Sequence, residues 1–286
     1  AANAHNVIGI GGGSPLDAAK VIAILAVNDM EPLDLYAKGW PNRALPMAAI
    51  PTTAGTGSEV TQYAVLTIAE EETKRGLGGP DLFPRTAYLD PKYTASLPLQ
   101  VTVDTAVDAL SHLIEGYLAK RATSASDLTA LQGIATWSAA LERLQKGAVD
   151  EKARSALLLA SCLGGITIAQ TGTTIVHGLG YPLTYFHGLP HGRANGILIG
   201  AYLRFTEKVA PDKVANVLDL LGLASVEEFG AVMDQFFAPY RDELRLSAQQ
   251  VADYGARAAL TNNAANSLGD LSPADVTEIL RASIME

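Results

Sequence analysis

Val7-Ile-Gly-Ile-Gly-Gly-Gly-Ser-Pro-Leu-Asp-Ala-Ala-Lys20 sets the fold class of this chain. Val7 to Ile10 is a short apolar run of the kind a buried strand needs. Gly11 to Gly13 follow it, and after Ser14 and Pro15 come helix formers that continue to Val27. Strand, glycine turn and helix therefore succeed one another directly. Ser14 reads as the helix N-cap, Pro15 suits the first helical position, and Asp17 stands where a capping-box acid would be. Glycines at such a turn let the backbone approach a ligand, and the free amides at the helix start attract a phosphate. The spacing Gly9-x-Gly11-x-x-Ser14 departs in its last residue from the usual dinucleotide fingerprint. Any tight turn of this kind can be glycine-rich, so phosphate binding and plain turn geometry both stay open on this motif alone.

Working outward, Pro46 to Pro51 reads as a second buried strand, and it runs into Thr52-Thr-Ala-Gly-Thr-Gly-Ser58-Glu59, an unobstructed wall of small and hydroxyl side chains. That wall is either a second cofactor-contacting loop or a flexible connector. Tyr63 to Ile68 and Thr86 to Leu89 are further short strands, with Lys74 in the loop between them. Beyond Pro91 and Pro98 the β-type runs give way to long alanine- and leucine-rich segments. Ser124-x-x-Asp127, Ser225-x-x-Glu228, Ser247-x-x-Gln250 and Ser272-x-x-Asp275 all have capping-box form. The expected organisation is an α/β unit over 1–98 and an all-helical unit over 99–286, with Ala210-Pro211 and the Gly222 region separating helices inside the second. There is no internal repeat.

With 286 residues and 48% hydrophobic content, the chain can bury a large core. A net charge of −9 without a block of lysine or arginine excludes the electrostatic footprint of a nucleic-acid binder or of a protein drawn to anionic membranes. The single cysteine, Cys162, rules out a disulfide within the chain and fits a reducing, cytoplasmic setting. Ala156 to Ile168, the most apolar run, is interrupted by Ser161, Gly164 and Gly165 and is too short to span a bilayer, so it reads as a core helix.

Five histidines are distributed unevenly: His177, His187 and His191 fall within Val176–Gly196, and His112 lies four residues after Asp108. On a helix, positions i and i+4 share a face, so Asp108 and His112 present an oxygen and a nitrogen toward one point. His177 and His191 are separated by glycines and prolines that admit a turn bringing both to the same place. One oxygen with three imidazole nitrogens suits Fe²⁺ or Zn²⁺ better than Ca²⁺ or Mg²⁺. Glu115 is either a partner for a ligand histidine or an exposed helix acid.

Four pieces together resemble the iron-containing, group III alcohol dehydrogenases: Gly11 to Lys20, Pro51 to Glu59, Asp108 to Glu115, and His177 with Pro190-His191-Gly192. The resemblance runs along essentially the whole chain. It implies an α/β dinucleotide-binding domain followed by a helical metal-binding domain, and hydride transfer between NAD or NADP and a small alcohol, aldehyde or ketone. By position it makes Asp108, His112, His177 and His191 the ligands of a divalent ion, Fe²⁺ before Zn²⁺. Gly12, Gly13 and Ser14, with Asp17 in the same turn, would hold the pyrophosphate. Thr52, Thr53 and Thr56 would border the nicotinamide, and Lys74 would lie near the ribose. The expected assembly is a homo-oligomer.

Two departures from the family stand out. Members often carry a second histidine four residues after the first ligand of the long stretch, thought to relay the proton; here Tyr181 occupies that position. A phenol with an unperturbed pKa near 10 shuttles protons poorly at neutral pH, which leaves Tyr181 or His187 to serve. The family also has an α/β segment before the triple glycine. Its absence is expected to leave the dinucleotide domain incomplete at the N-terminus, with an exposed sheet edge at Val7 to Ile10. Two rival readings follow: an NAD- and zinc-using lyase resembling dehydroquinate synthase, for which Arg193 is the only nearby basic residue, or a truncated metal-binding chain without activity.

Overall fold

The computed structural model describes residues 4–68 and 73–284. Its α/β part runs β1 (Val7–Gly11), α1 (Gly13–Leu25), α2 (Asp34–Lys38), β2 (Met47–Pro51), β3 (Tyr63–Ile68), β4 (Thr73–Gly78) and β5 (Thr86–Ala87). The helical part follows, with α3 (Leu99–Tyr117), α4 (Ser124–Ser138), α5 (Leu141–Gln145), α6 (Glu151–Thr171), α7 (Ile175–His187), α8 (His191–Glu207) and α9 (Pro211–Leu221). It is completed by α10 (Val226–Glu243), α11 (Ala248–Ala259), α12 (Asn262–Asn266) and α13 (Pro273–Ile284). The expected order, α/β then helical, is the one observed.

Strands β1, β2 and β5 form a parallel sheet in that order, with Val7 opposite Met47 and Ala48 opposite Thr86. β1 lies at its edge, where Ile8 and Ile10 are exposed. β3 and β4 make a separate antiparallel pair in which Thr67 faces Lys74. Lys74 therefore stands on a strand and not in the expected loop: Thr-Lys-Arg-Gly-Leu-Gly has no alternating pattern and is held extended by its pairing with β3. Helix α1 starts at Gly13 with Gly12 as N-cap and no side-chain cap, so Ser14 is inside the first turn. Asp17 does not close a capping box either; its carboxylate accepts from Ser58 Oγ at 2.6 Å and from the Val65 amide at 2.8 Å. At α4 the cap is Thr123 with Ser126, one residue before the expected Ser124. The caps at Ser225, Ser247 and Ser272 are where the sequence puts them.

Lys20, 1% exposed, crosses from α1 to donate to Thr61 O at 3.0 Å, Thr61 Oγ1 at 3.2 Å and Tyr63 O at 2.5 Å. With Asp17 it stitches α1 to the start of β3 and so fixes the β3–β4 wall. Burial drives the Lys20 pKa down to about 8 against the pull of Asp17 and Glu59. Glu59 is also buried; burial pushes it up to about 7, and its Oε1 has no hydrogen-bond partner among the described residues. A carboxyl whose folded pKa lies above its unfolded value near 4.5 contributes stability below that value and loses it as pH rises through about 7. Glu59→Gln is therefore expected to gain roughly 2 kcal/mol relative to the parent between pH 5 and pH 8. Urea unfolding at the two pH values measures this, and equal differences at both would contradict it.

Helix α3 is the centre of the helical part, wrapped by α4, α6 and α8. With few exceptions its residues from Thr102 to Tyr117 are buried, and the Trp137 indole donates to Ala106 O at 2.7 Å. The apolar run Ala156–Ile168 sits inside α6, whose 21 residues pass the length and composition of a membrane span but pack against α3 and α4. α6 also meets the α/β part with almost no side chain between: a Cβ at Gly57 would lie 2.5 Å from Gly165 Cα, and one at Gly165 2.6 Å from Gly57 O. The backbones touch there, and the cleft opens beside the contact.

Candidate active site

Because α3 is buried on nearly every face, its polar residues can only point at other polar groups. Asp108 and His112 project from it one turn apart, as their spacing requires, and Glu115 follows. His177 comes from the first turn of α7, and His191 is the first residue of α8. Atoms of Asp108, His177 and His191 lie within 4.8 Å of one another, with Asp108 Oδ1 3.9 Å from both His177 Nε2 and His191 Nε2. His112 Nε2 lies 3.0 Å from His177 Nε2.

The surroundings fix what these atoms offer. The His177 Nδ1–H donates to Glu115 Oε1 at 2.5 Å, and the His112 Nδ1–H to Gly55 O at 3.2 Å. Both Nε2 atoms then carry lone pairs, and they face each other, an arrangement that repels unless a cation lies beside them. A carboxylate oxygen and two imidazole nitrogens converging in this way, with the His112 nitrogen beside one of them and outside the 4.8 Å group, fit a divalent transition metal. Of the two readings for Glu115, the structure shows the buried partner: it is 0% exposed and also accepts from the Thr174 amide at 2.7 Å and Thr174 Oγ1 at 2.8 Å.

Burial and the neighbouring carboxylates set the charge states of these groups in opposite directions. Burial pulls His191 down to about 3, with only partial opposition from Asp108, so its ring is neutral at pH 7. Burial likewise lowers His112. Burial pushes Asp108 upward, but the three histidines and Asn195 outweigh it and hold its carboxyl below the usual range. For His177 burial is outweighed by Glu115, which raises it. The Tyr181 ring stacks on His191 at 5.6 Å and 8°, and burial followed by the Glu115 and Asp108 charges pushes its phenol up to about 12.

A cavity of about 560 Å³ joins the two parts of the fold, lined by Gly13, Ser14, Asp17 and Thr56 on one side and by Asp108, His112, His177, Tyr181 and His191 on the other. Thr53 and Thr56 lie over the glycine turn: their methyls would be 3.2 and 2.7 Å from a Cβ at Gly12 and Gly13. The Thr52 amide donates to Gly11 O at 2.9 Å. Lys74 lines the same cavity, its pKa lowered by burial in spite of Asp108 and Asp17. His187 is not brought to the ligands. It ends α7, its Nε2 is 3.0 Å from Tyr254 Oη, and it is absent from the cavity lining, because six residues on from Tyr181 the helix has turned it away. Arg193 is spent elsewhere, bidentate on Asp104 at 3.1 and 2.9 Å and stacked on Tyr240.

Sequence reading missed two groups. Arg121, Thr173, Asn262, Asn263 and Asn266 also line the cavity, gathered from segments with no shared motif. Asn195 stands among the candidate ligands, and its place at i+4 from His191 was the available signal.

Comparison with known proteins gives a consistent result. The family model described as "Fe-containing alcohol dehydrogenase family, C-terminal" matches residues 102–284, and "Iron-containing alcohol dehydrogenase" matches residues 1–91. Long-chain-alcohol dehydrogenase 1 of Geobacillus thermodenitrificans is 36% identical over 220 residues, which are 76% of this chain and 55% of that protein. Lactaldehyde reductase of Escherichia coli K12 is 33% identical over 249 residues, 84% of this chain and 64% of the relative. Among solved structures, the iron-containing alcohol dehydrogenase from Thermotoga maritima superposes with TM-score 0.86 at 36% identity, covering 97% of this chain and 74% of that one. Sulfoacetaldehyde reductase from Bifidobacterium kashiwanohense, solved in complex with NAD⁺, gives 0.88 at 28% identity and covers 98% and 76%. The chain thus spans between half and two thirds of the length of these two curated relatives.

Proposed function

Since this chain belongs to the iron-containing alcohol dehydrogenase family, we propose that it interconverts a small alcohol and its aldehyde or ketone with a nicotinamide cofactor and a divalent ion. One observation carries the reading: the paired Nε2 atoms of His112 and His177, beside Asp108 and His191, share a cavity with the glycine turn.

A bound Fe²⁺ or Zn²⁺ would supply Lewis acidity at the substrate oxygen, and NAD(P) would supply or accept the hydride. Asp108, His112, His177 and His191 hold the ion. The amides at Gly12, Gly13 and Ser14 carry the pyrophosphate at the start of α1. Asp17 lines the same cavity and shapes this turn through its bonds from Ser58 and Val65. Thr52, Thr53 and Thr56 border the nicotinamide side and keep water from it, and Lys74 orients the ribose. Tyr181 remains a phenol at neutral pH, so it donates and accepts a hydrogen bond at the substrate oxygen without losing its own proton. A single cysteine fits a reducing compartment, so action in the cytoplasm is the proposed setting and a homo-oligomer the proposed assembly. Arg193, the basic residue of the metal-bearing stretch, is committed to Asp104, while Lys74 and Arg121 line the cavity, so the assay below and not the residue count separates the lyase reading.

The test is reconstitution. Chelator-stripped protein is expected to show no NADH or NADPH oxidation with short aldehydes, and added Fe²⁺, or Zn²⁺ to a smaller extent, is expected to restore it. Turnover that is indifferent to metal, or phosphate release without net oxidation of NADH, would refute this reading.

A further inference from the structure

We propose that Asn195 is a positioning residue of the metal site: its carboxamide holds the Asp108 carboxylate and caps the triangle of Asp108, His177 and His191, a role that rests on the metal-site reading above. Asn195 follows His191 by one turn of α8 and is fully buried. Its Nδ2 lies 3.0 Å from Asp108 Oδ1, 3.3 Å from His177 Nε2 and 3.4 Å from His191 Nε2. An amide nitrogen is a donor only, so its two hydrogens serve the Asp108 oxygen and the His177 Nε2 lone pair, with His191 Nε2 beside them. Turned over, the amide would set its carbonyl oxygen 3.0 Å from a buried carboxylate oxygen, so Asp108 fixes its orientation.

The other end of the amide shows what this arrangement costs. Asn195 Oδ1 is buried and has no hydrogen-bond partner among the described residues. A buried acceptor left unmet lowers stability, and each such group in a folded protein needs a reason. Here the neighbouring helix makes room for it: a Cβ at Gly180 on α7 would fall 2.4 Å from Oδ1. Helix packing is thus shaped around an oxygen that gains nothing from it, while the nitrogen lies within 3.4 Å of atoms of Asp108, His177 and His191. Asn195 gathers the ligands in the metal-free protein and holds Asp108 when the histidine lone pairs are engaged by an ion.

Co²⁺ binding to the metal-free chain tests this, with affinity read by chelator competition and geometry by the visible absorption bands. Asn195→Ala is expected to bind Co²⁺ about 10- to 100-fold more weakly, the usual effect of removing a group that orients a ligand, and with shifted bands. Asn195→Thr, near asparagine in volume and still a donor, is expected to recover part of the affinity. Metal-free melting temperatures separate this from general loss of packing. Parent-like affinity and bands in Asn195→Ala overturn the role. If that variant does not fold, Gly180→Ala decides, since crowding Oδ1 must displace the amide, and unchanged Co²⁺ binding there overturns it equally. A parent chain that binds no Co²⁺ overturns both this role and the metal site.

Discussion

Replacing His177 with alanine is expected to abolish metal retention and to lower turnover by at least ~10³-fold. A Lewis acid at the reacting oxygen contributes several kcal/mol, and at 1.36 kcal/mol per tenfold a loss of about 4 kcal/mol corresponds to that factor. Of the four residues proposed as ligands, His177 is the one most firmly tied to the others. Its Nε2 meets His112 at 3.0 Å, Asn195 at 3.3 Å and Asp108 at 3.9 Å, while its Nδ1 is committed to Glu115. The variant keeps Glu115 and Asp108 buried with one neighbour fewer, so it is expected to be less stable as well. Elemental analysis after purification without affinity metal, paired with a steady-state assay, checks both parts. His187→Ala is the control: its imidazole faces Tyr254, and metal content and most of the turnover should survive. Full metal content in His177→Ala would show that the ligands have been misassigned.

The second large effect is expected at Glu115, which touches no reacting atom. Its two carboxylate oxygens serve the His177 ring, the Thr174 amide and the Thr174 hydroxyl, with the His177 amide at 3.4 Å. Glu115→Ala would leave these donors buried without an acceptor, and breaking a buried charged pair costs roughly 3–5 kcal/mol. It also frees the imidazole to take the other tautomer or to turn, for which about a 10- to 100-fold loss of metal affinity is expected. Glu115→Gln separates the two effects, because it keeps an acceptor for Thr174 but weakens the hold on the His177 proton: stability should recover more than metal affinity. If both variants lose stability and affinity in parallel, Glu115 acts through packing alone.

The sequence was most informative where a short-range rule applies. Strand, glycine turn and helix at Val7–Lys20 form a local pattern, and so do the i,i+4 pair of Asp108 and His112 and the caps at Ser225, Ser247 and Ser272. What escaped depended on pairing at a distance. β4 has no strand signature of its own, so Lys74 looked like a loop residue until β3 was seen beside it. Ser14 and Asp17 carry cap chemistry, yet Asp17 is claimed by Ser58 and Val65 from another part of the chain. Glu115 left two readings open because its choice rests on Thr174, far along the sequence. His187 drew notice by residue type, and only helical phase shows that it faces away from the ligands.

The bare contact between Gly57 and Gly165 has a mechanical consequence. One glycine belongs to the loop that continues toward the nucleotide-turn threonines, the other to a helix packed on the ligand-bearing α3, and no side chain separates them. Two surfaces meeting backbone to backbone cannot approach further, so the separation of the two parts of the fold is set at this point by main-chain atoms alone. A single methyl group at either glycine is a wedge. It has no room unless the loop and α6 move apart, which would change the gap between the glycine turn and the Asp108–His112 face of α3 without altering any residue that lines it.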